Sequence, residues 1–119
     1  MKEEFQARMV RIHFGEGDKW QGRPLVEAIF AKCRELEIAE VMVYRGIEGF
    51  GASTRIRHAS HWIFSSDAPI QLSLIDSEAQ IARLLPHLDA MVDEGLIAIS
   101  TVDVIRYTRP SEKMSQTRR

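Results

Sequence analysis

Arg45-Gly-Ile-Glu-Gly-Phe-Gly-Ala-Ser-Thr-Arg-Ile-Arg-His-Ala-Ser-His61 is the stretch around which this sequence is organised. It leaves an apolar strand, Val41-Met-Val-Tyr44, and crowds Gly46, Gly49 and Gly51 into one short span. It then turns basic and histidine-rich. Glycine opens backbone angles closed to other residues and lets main chain approach a ligand or a neighbour. With Arg45, Arg55 and Arg57 beside them, bare amides and guanidinium groups converge donors on an anion. The same glycines also suit a plain turn or bulge at a strand end, and the residues alone leave both readings open.

Working upstream, Val10, Ile12 and Phe14 alternate with Arg11 and His13, the period of a half-buried strand. A polar loop, Gly15 to Gly22, carries Trp20, which fits either a stacking or wedging role or a cover for the core edge. Pro24 suits a first helical turn. Leu25, Ala28, Ile29, Cys33 and Leu36 then form one apolar helical face, with Glu27, Lys32, Arg34 and Glu35 elsewhere. Downstream, Ser65 to Pro69 is a turn cluster, and Ile70, Leu72 and Leu74 alternate as a strand. Ser77-Glu-Ala-Gln80 reads as a capping box. It opens a helix whose stripe is Ile81, Leu84, Leu85, Leu88, Met91 and Val92, with a kink expected at Pro86. Gly95 stops it, and Leu96 to Ile105 is the last strand.

The order strand, helix, strand, strand, helix, strand is the split βαβ of a ferredoxin-like α+β sandwich. Residues 1–108 are expected to form one domain, and the polar remainder, 109–119, a mobile tail. Two helices cover one sheet face only. Met9, Met42, Tyr44, Ile75 and Val102 fall on the other, an apolar surface of the kind that assembles into oligomers.

Composition narrows the function classes. The chain has 119 residues, 45% hydrophobic and 28% charged, with a formal net charge of -1. That is ordinary for a soluble globular domain, and it supplies no global attraction to nucleic acid, so an anion site has to be local. Arg55, Arg57 and Trp62 are therefore a poor nucleic-acid surface. Cys33 is the only cysteine, which excludes an intrachain disulfide, and its place on the apolar stripe suits a buried small residue. No signal peptide and no apolar run long enough to span a bilayer is present, so a cytoplasmic location is expected. No nucleophile elbow, phosphate-binding Walker loop or paired-carboxylate motif is present either, and Glu16, Asp18 and Glu48 read as solvated loop carboxylates. Catalysis is not expected. His58 and His61, three apart, fit either a metal pair completed by a third ligand or two surface histidines beside a basic loop. His13 and His87 lie elsewhere.

Five pieces carry a resemblance: Gly15-Glu-Gly-Asp-Lys19, Gly22-Arg-Pro-Leu-Val-Glu-Ala-Ile29, Val43-Tyr-Arg-Gly-Ile-Glu-Gly-Phe-Gly-Ala-Ser53, Ile75-Asp-Ser77 and Glu94-Gly-Leu96. Together they resemble the PII-like proteins of domain-of-unknown-function family 190, from about Val10 to Ile105, and Arg45 to Gly51 is the most specific piece. The resemblance implies a ferredoxin-like subunit assembled as a trimer with its sheets facing inward. It also implies kinship with the PII signal transducers and the trimeric copper-tolerance proteins. PII proteins bind adenine nucleotides in clefts between subunits and report through a long loop joining the second and third strands, here Gly46 to Ser66. That span holds no tyrosine, so it offers no acceptor for tyrosine uridylylation. Only Glu94-Gly95-Leu96 stands where PII proteins carry a glycine-rich phosphate loop, which points to a smaller nucleotide, AMP or ADP, or to another ligand.

No PII site residue transfers by motif, so the candidates rest on this chain's own chemistry. Lys19, Arg45, Arg55 and Arg57 are the expected phosphate partners, and Gly46, Gly49 and Gly51 the expected amide donors. The sequence thus predicts a cytoplasmic, trimeric, PII-like regulator. An adenine nucleotide would order the loop, and the loop would be offered to a partner protein such as a membrane transporter or channel. The alternative is a trimeric metal-binding or metal-tolerance protein using His58 and His61.

Overall fold

The computed structural model describes residues 1–47, 49–50, 56–57 and 68–110. Gly51, Arg55, His58 and His61 lie outside the described residues, as does most of the expected tail. In chain order the elements are β1 (Lys2–Gly15), β2 (Lys19–Trp20), β3 (Arg23–Pro24), α1 (Leu25–Glu35), β4 (Glu40–Arg45), β5 (Gly49–Phe50), β6 (Ile56–Arg57), β7 (Pro69–Asp76), α2 (Glu78–Met91) and β8 (Leu96–Tyr107). Four of the strands form an antiparallel sheet in the order β4-β7-β1-β8. This is the ferredoxin-like arrangement that the element order predicts. Two short ribbons, β2–β3 and β5–β6, are additions to it. The first turns through Gln21 and Gly22, both at positive φ, as a two-residue hairpin loop requires.

Alternation sorts the sheet into two unlike faces. Val10, Ile12 and Phe14 of β1 lie opposite Leu74, Leu72 and Ile70 of β7, and all six are buried. Leu25, Ala28, Ile29 and Cys33 of α1 close over them together with Ile81, Leu84, Leu88 and Met91 of α2. Each large side chain buried here contributes about 1.5–3 kcal/mol. Cys33 is part of this core, and burial pushes its thiol up to about 11.

Among the described residues no layer lies above the other face. Register places Met9 opposite Ile75 and Ser100, Met42 opposite Ser73, and Tyr44 opposite Gln71. Met42 and Tyr44 are about half exposed. Val102 shares this face through its pairing with Ala7. β1 also outruns β7: from Lys2 to Ala7 it pairs with β8 alone, as a two-stranded ribbon closed by hydrogen bonds between Met1 and Thr108.

The two helices are tied end to end. Ser77 accepts from the Gln80 amide at 3.2 Å, half of the expected capping box. The Gln80 side chain does not reach back. Its Nε2 donates instead to the Leu36 carbonyl, 2.9 Å away at the end of α1. Asp76 completes the joint, accepting from the Ser77 amide at 2.6 Å and the Ala39 amide at 2.8 Å. Between these contacts α1 ends in a Schellman-type closure. Ile38 N–H bonds Cys33 O, Glu37 N–H bonds Arg34 O, and Glu37 takes the left-handed φ of 58° usually given to glycine. α2 runs as one helix from Glu78 to Met91 with Pro86 inside it. Among the described residues no helix is long and apolar enough to cross a membrane.

Gly95, which leads from α2 into β8, holds a φ of 147°, and a Cβ there would meet the His13 carbonyl oxygen at 2.2 Å. Because that obstacle is central-strand backbone, Gly95→Ala should lower unfolding free energy by about 3 kcal/mol in a denaturant titration. A loss under about half a kcal/mol would mean that β8 can shift away from β1 at little cost.

Candidate functional site

Arg45, Gly46 and the loop that leads to Lys19 lie at the end of the sheet where β1 and β4 finish and β7 begins. Gly15 pairs with Pro69 and Arg45 with Ile70, so the polar loop after β1 and both stems of the β4–β7 connection meet there. The loop is a tight turn. Gly15 N–H donates to Asp18 Oδ2 at 3.0 Å and Asp18 N–H to Gly15 O at 3.0 Å. The Asp18 carbonyl then accepts from Leu25 N–H at 2.8 Å, anchoring the turn to the start of α1. Asp18 is thus a structural residue that closes the turn back onto Gly15, and not the solvated carboxylate expected from sequence.

Glu16 sits in the middle of this turn and makes two different bonds. Its amide donates to Ala68 O at 2.7 Å, and its Oε1 accepts from Arg45 Nε at 3.1 Å. Both side chains are part-exposed, 44% for Arg45 and 30% for Glu16. A pair this open to water contributes about 1 kcal/mol or less. It holds the guanidinium against the turn that follows β1. Sequence reasoning missed Glu16. The two residues lie 29 positions apart, and only the β1–β7–β4 pairing brings them together.

Gly46 departs from its expected role. Its amide donates to Pro69 O at 2.7 Å, so that donor is already engaged. A Cβ on Gly46 would lie 2.7 Å from Pro69 Cγ, which shows what the glycine is for: it lets the departing stem cross over the proline that opens β7. Gly49 pairs with Arg57 in the β5–β6 ribbon, so these two candidates are backbone neighbours across a hairpin. Lys19 stands exposed on β2, in the loop that carries Glu16. Trp20 beside it is half-buried and packs on the core, which favours its covering role. His13 shares a 3.0 Å hydrogen bond with Gln71 on the open sheet face. Among the described residues no cluster of histidine, cysteine and carboxylate side chains could hold a metal.

Gly46→Ala should cost about 1–2 kcal/mol through the clash with the Pro69 ring. In a double-mutant cycle with Pro69→Ala most of that cost should disappear. Additive losses would place the strain elsewhere.

The sequence model of the family described as "Uncharacterized ACR" (DUF190) matches residues 7–104. A UPF0166 protein of Aquifex aeolicus is 28% identical over 100 residues, covering 84% of this chain and 94% of its own. A UPF0166 protein of Methanocaldococcus jannaschii is 28% identical over 102 residues, covering 85% and 94%. Among solved structures, CPII of Thiomonas intermedia, a nitrogen regulatory PII-like protein bound to ADP, AMP and bicarbonate, superposes with a TM-score of 0.63 at 14% identity, covering 86% of this chain and 91% of that one. A Thermus thermophilus protein described as PII-like in signalling gives 0.60 at 15% identity, covering 93% and 97%. At such identities the likeness is one of fold, and the fold is PII-like. With its sequence matched from the middle of β1 almost to the end of β8, the chain belongs to the DUF190 family.

Proposed function

We propose that this protein is a PII-like regulator that assembles as a trimer through its open sheet face and binds AMP or ADP in the clefts between subunits. The observation that carries this reading is the meeting, at one end of the sheet, of the Arg45 guanidinium with both stems of the β4–β7 connection. An effector gripped by Arg45 would bear directly on that connection. A solved structure of the same fold is described as bound to ADP, AMP and bicarbonate. That supports a small anionic effector of this class.

Arg45 is the principal phosphate partner in this reading, since an Arg fork offers paired donors to a phosphate. Lys19, Arg55 and Arg57 add positive charge. Gly49 and Gly51 offer backbone amides to the ligand, while Gly46 contributes clearance and not a donor. The exposed Met42 and Tyr44, with Met9, Ile75 and Val102, form the subunit contact. The protein acts by binding and not by catalysis, in the cytoplasm. The β4–β7 connection is what it shows to a partner, such as a membrane transporter or channel, in the nucleotide-bound or free state.

Light scattering at micromolar concentration should return three times the 13.6 kDa chain mass. Calorimetry should show AMP or ADP binding that Arg45→Ala weakens by about 1.5–3 kcal/mol, the value of a charged hydrogen bond. Monomeric protein would remove the cleft, and unchanged affinity in an intact Arg45→Ala trimer would remove Arg45 from the site.

A further inference from the structure

We infer that Glu16 is a built-in competitor for the effector's phosphate: its carboxylate holds the Arg45 guanidinium in the free protein, yields it to the phosphate, and thereby links occupancy to the stems of the β4–β7 connection. This rests on the nucleotide reading above and gives it a regulatory mechanism.

Glu16 touches both ends of the connection. Its carboxylate meets Arg45, the last residue of β4, at 3.1 Å, and its amide meets the carbonyl of Ala68, just before β7, at 2.7 Å. A second clasp lies next to it, Gly46 N–H on Pro69 O at 2.7 Å. Glu16 therefore bridges the departing and returning stems through one side chain and one backbone group. A phosphate carries more charge than a carboxylate and more acceptor oxygens, so it can displace Glu16 from the guanidinium. When it does, one link between the stems is lost while the backbone clasps remain. A ligand shifts a conformational balance only by its unequal interaction with the two states, and exchange of Glu16 for phosphate at Arg45 supplies that inequality.

The turn does not need the Glu16 carboxylate for its shape. Asp18 closes it through Gly15 N–H and through Leu25 N–H. Glu16→Gln, similar in volume and uncharged, is thus a fair probe. Because a part-exposed ion pair is weak, its removal as competitor should tighten AMP binding by about fivefold. Adenosine lacks the phosphate, so its binding should not change.

The experiment measures AMP, ADP and adenosine affinity of wild-type and Glu16→Gln protein by calorimetry, with the Arg45 Nε–H resonance followed by NMR in the same samples. The expected result is tighter AMP binding in the variant, unchanged adenosine binding, and an Arg45 Nε–H signal that AMP moves and adenosine does not. If wild-type protein binds AMP but Glu16→Gln leaves its affinity unchanged or weaker, Glu16 is no competitor and the inference falls while the nucleotide reading stands. An equal gain for adenosine overturns it too, since that marks a change in loop packing. If wild-type protein binds neither AMP nor ADP, the nucleotide reading itself fails and takes the inference with it.

Discussion

The structure depends on β1 being enclosed on three sides. It has β7 on one edge, β8 on the other, and both helices over Val10, Ile12 and Phe14. Once those three side chains are buried, strand alternation forces Met9, Arg11 and His13 onto the opposite face, and register carries Ile75, Ser73 and Gln71 there with them. Two helices cannot cover two faces. The half-exposed Met42 and Tyr44 follow from the packing that makes the core sound. The same pairing also sets where the candidate site lies, since it brings Gly15, Pro69 and Arg45 to one end of the sheet.

Much of this was legible in the sequence, for a local reason. Period-2 and period-3.6 patterns are properties of neighbouring residues, so Val10–Phe14, Ile70–Leu74 and the two helical stripes could be read one by one, and their order named the sandwich. The five residues assigned to the open face all fall there. What failed to show was non-local or lay in side-chain choice. Gln80 was expected to cap its own helix but bonds Leu36 across the α1–α2 joint. Glu16 and Asp18 looked alike as loop carboxylates, yet one closes a turn and the other holds an arginine 29 positions away. Gly46 looked like an open approach for a ligand because Pro69, which fills that space, lies far along the chain.

The candidate site is therefore best understood as a junction. Its members come from a turn after the central strand, the end of an edge strand and the entry to another strand. Each is fixed by backbone hydrogen bonds, while the Arg45–Glu16 contact is a part-exposed pair of small energy. In the proposed reading, a small ligand at Arg45 would compete with a contact of about 1 kcal/mol and not with the stability of the sheet.

The β1–β8 pairing has a kinetic consequence. These strands share the longest ladder in the sheet, running from Lys2 opposite Tyr107 to His13 opposite Leu96. Their contacts are widely separated along the chain, and such contacts are slow to form because a large loop must close first. While the chain is being made, β1 can find β7 well before β8 has emerged. For that interval its far edge stands open with unpaired amides and carbonyls, a template for wrong partners. Along that stretch Lys2, Glu3, Glu4, Arg8 and Arg11 keep the bare edge charged during synthesis, the kind of residue that blunts an exposed strand edge.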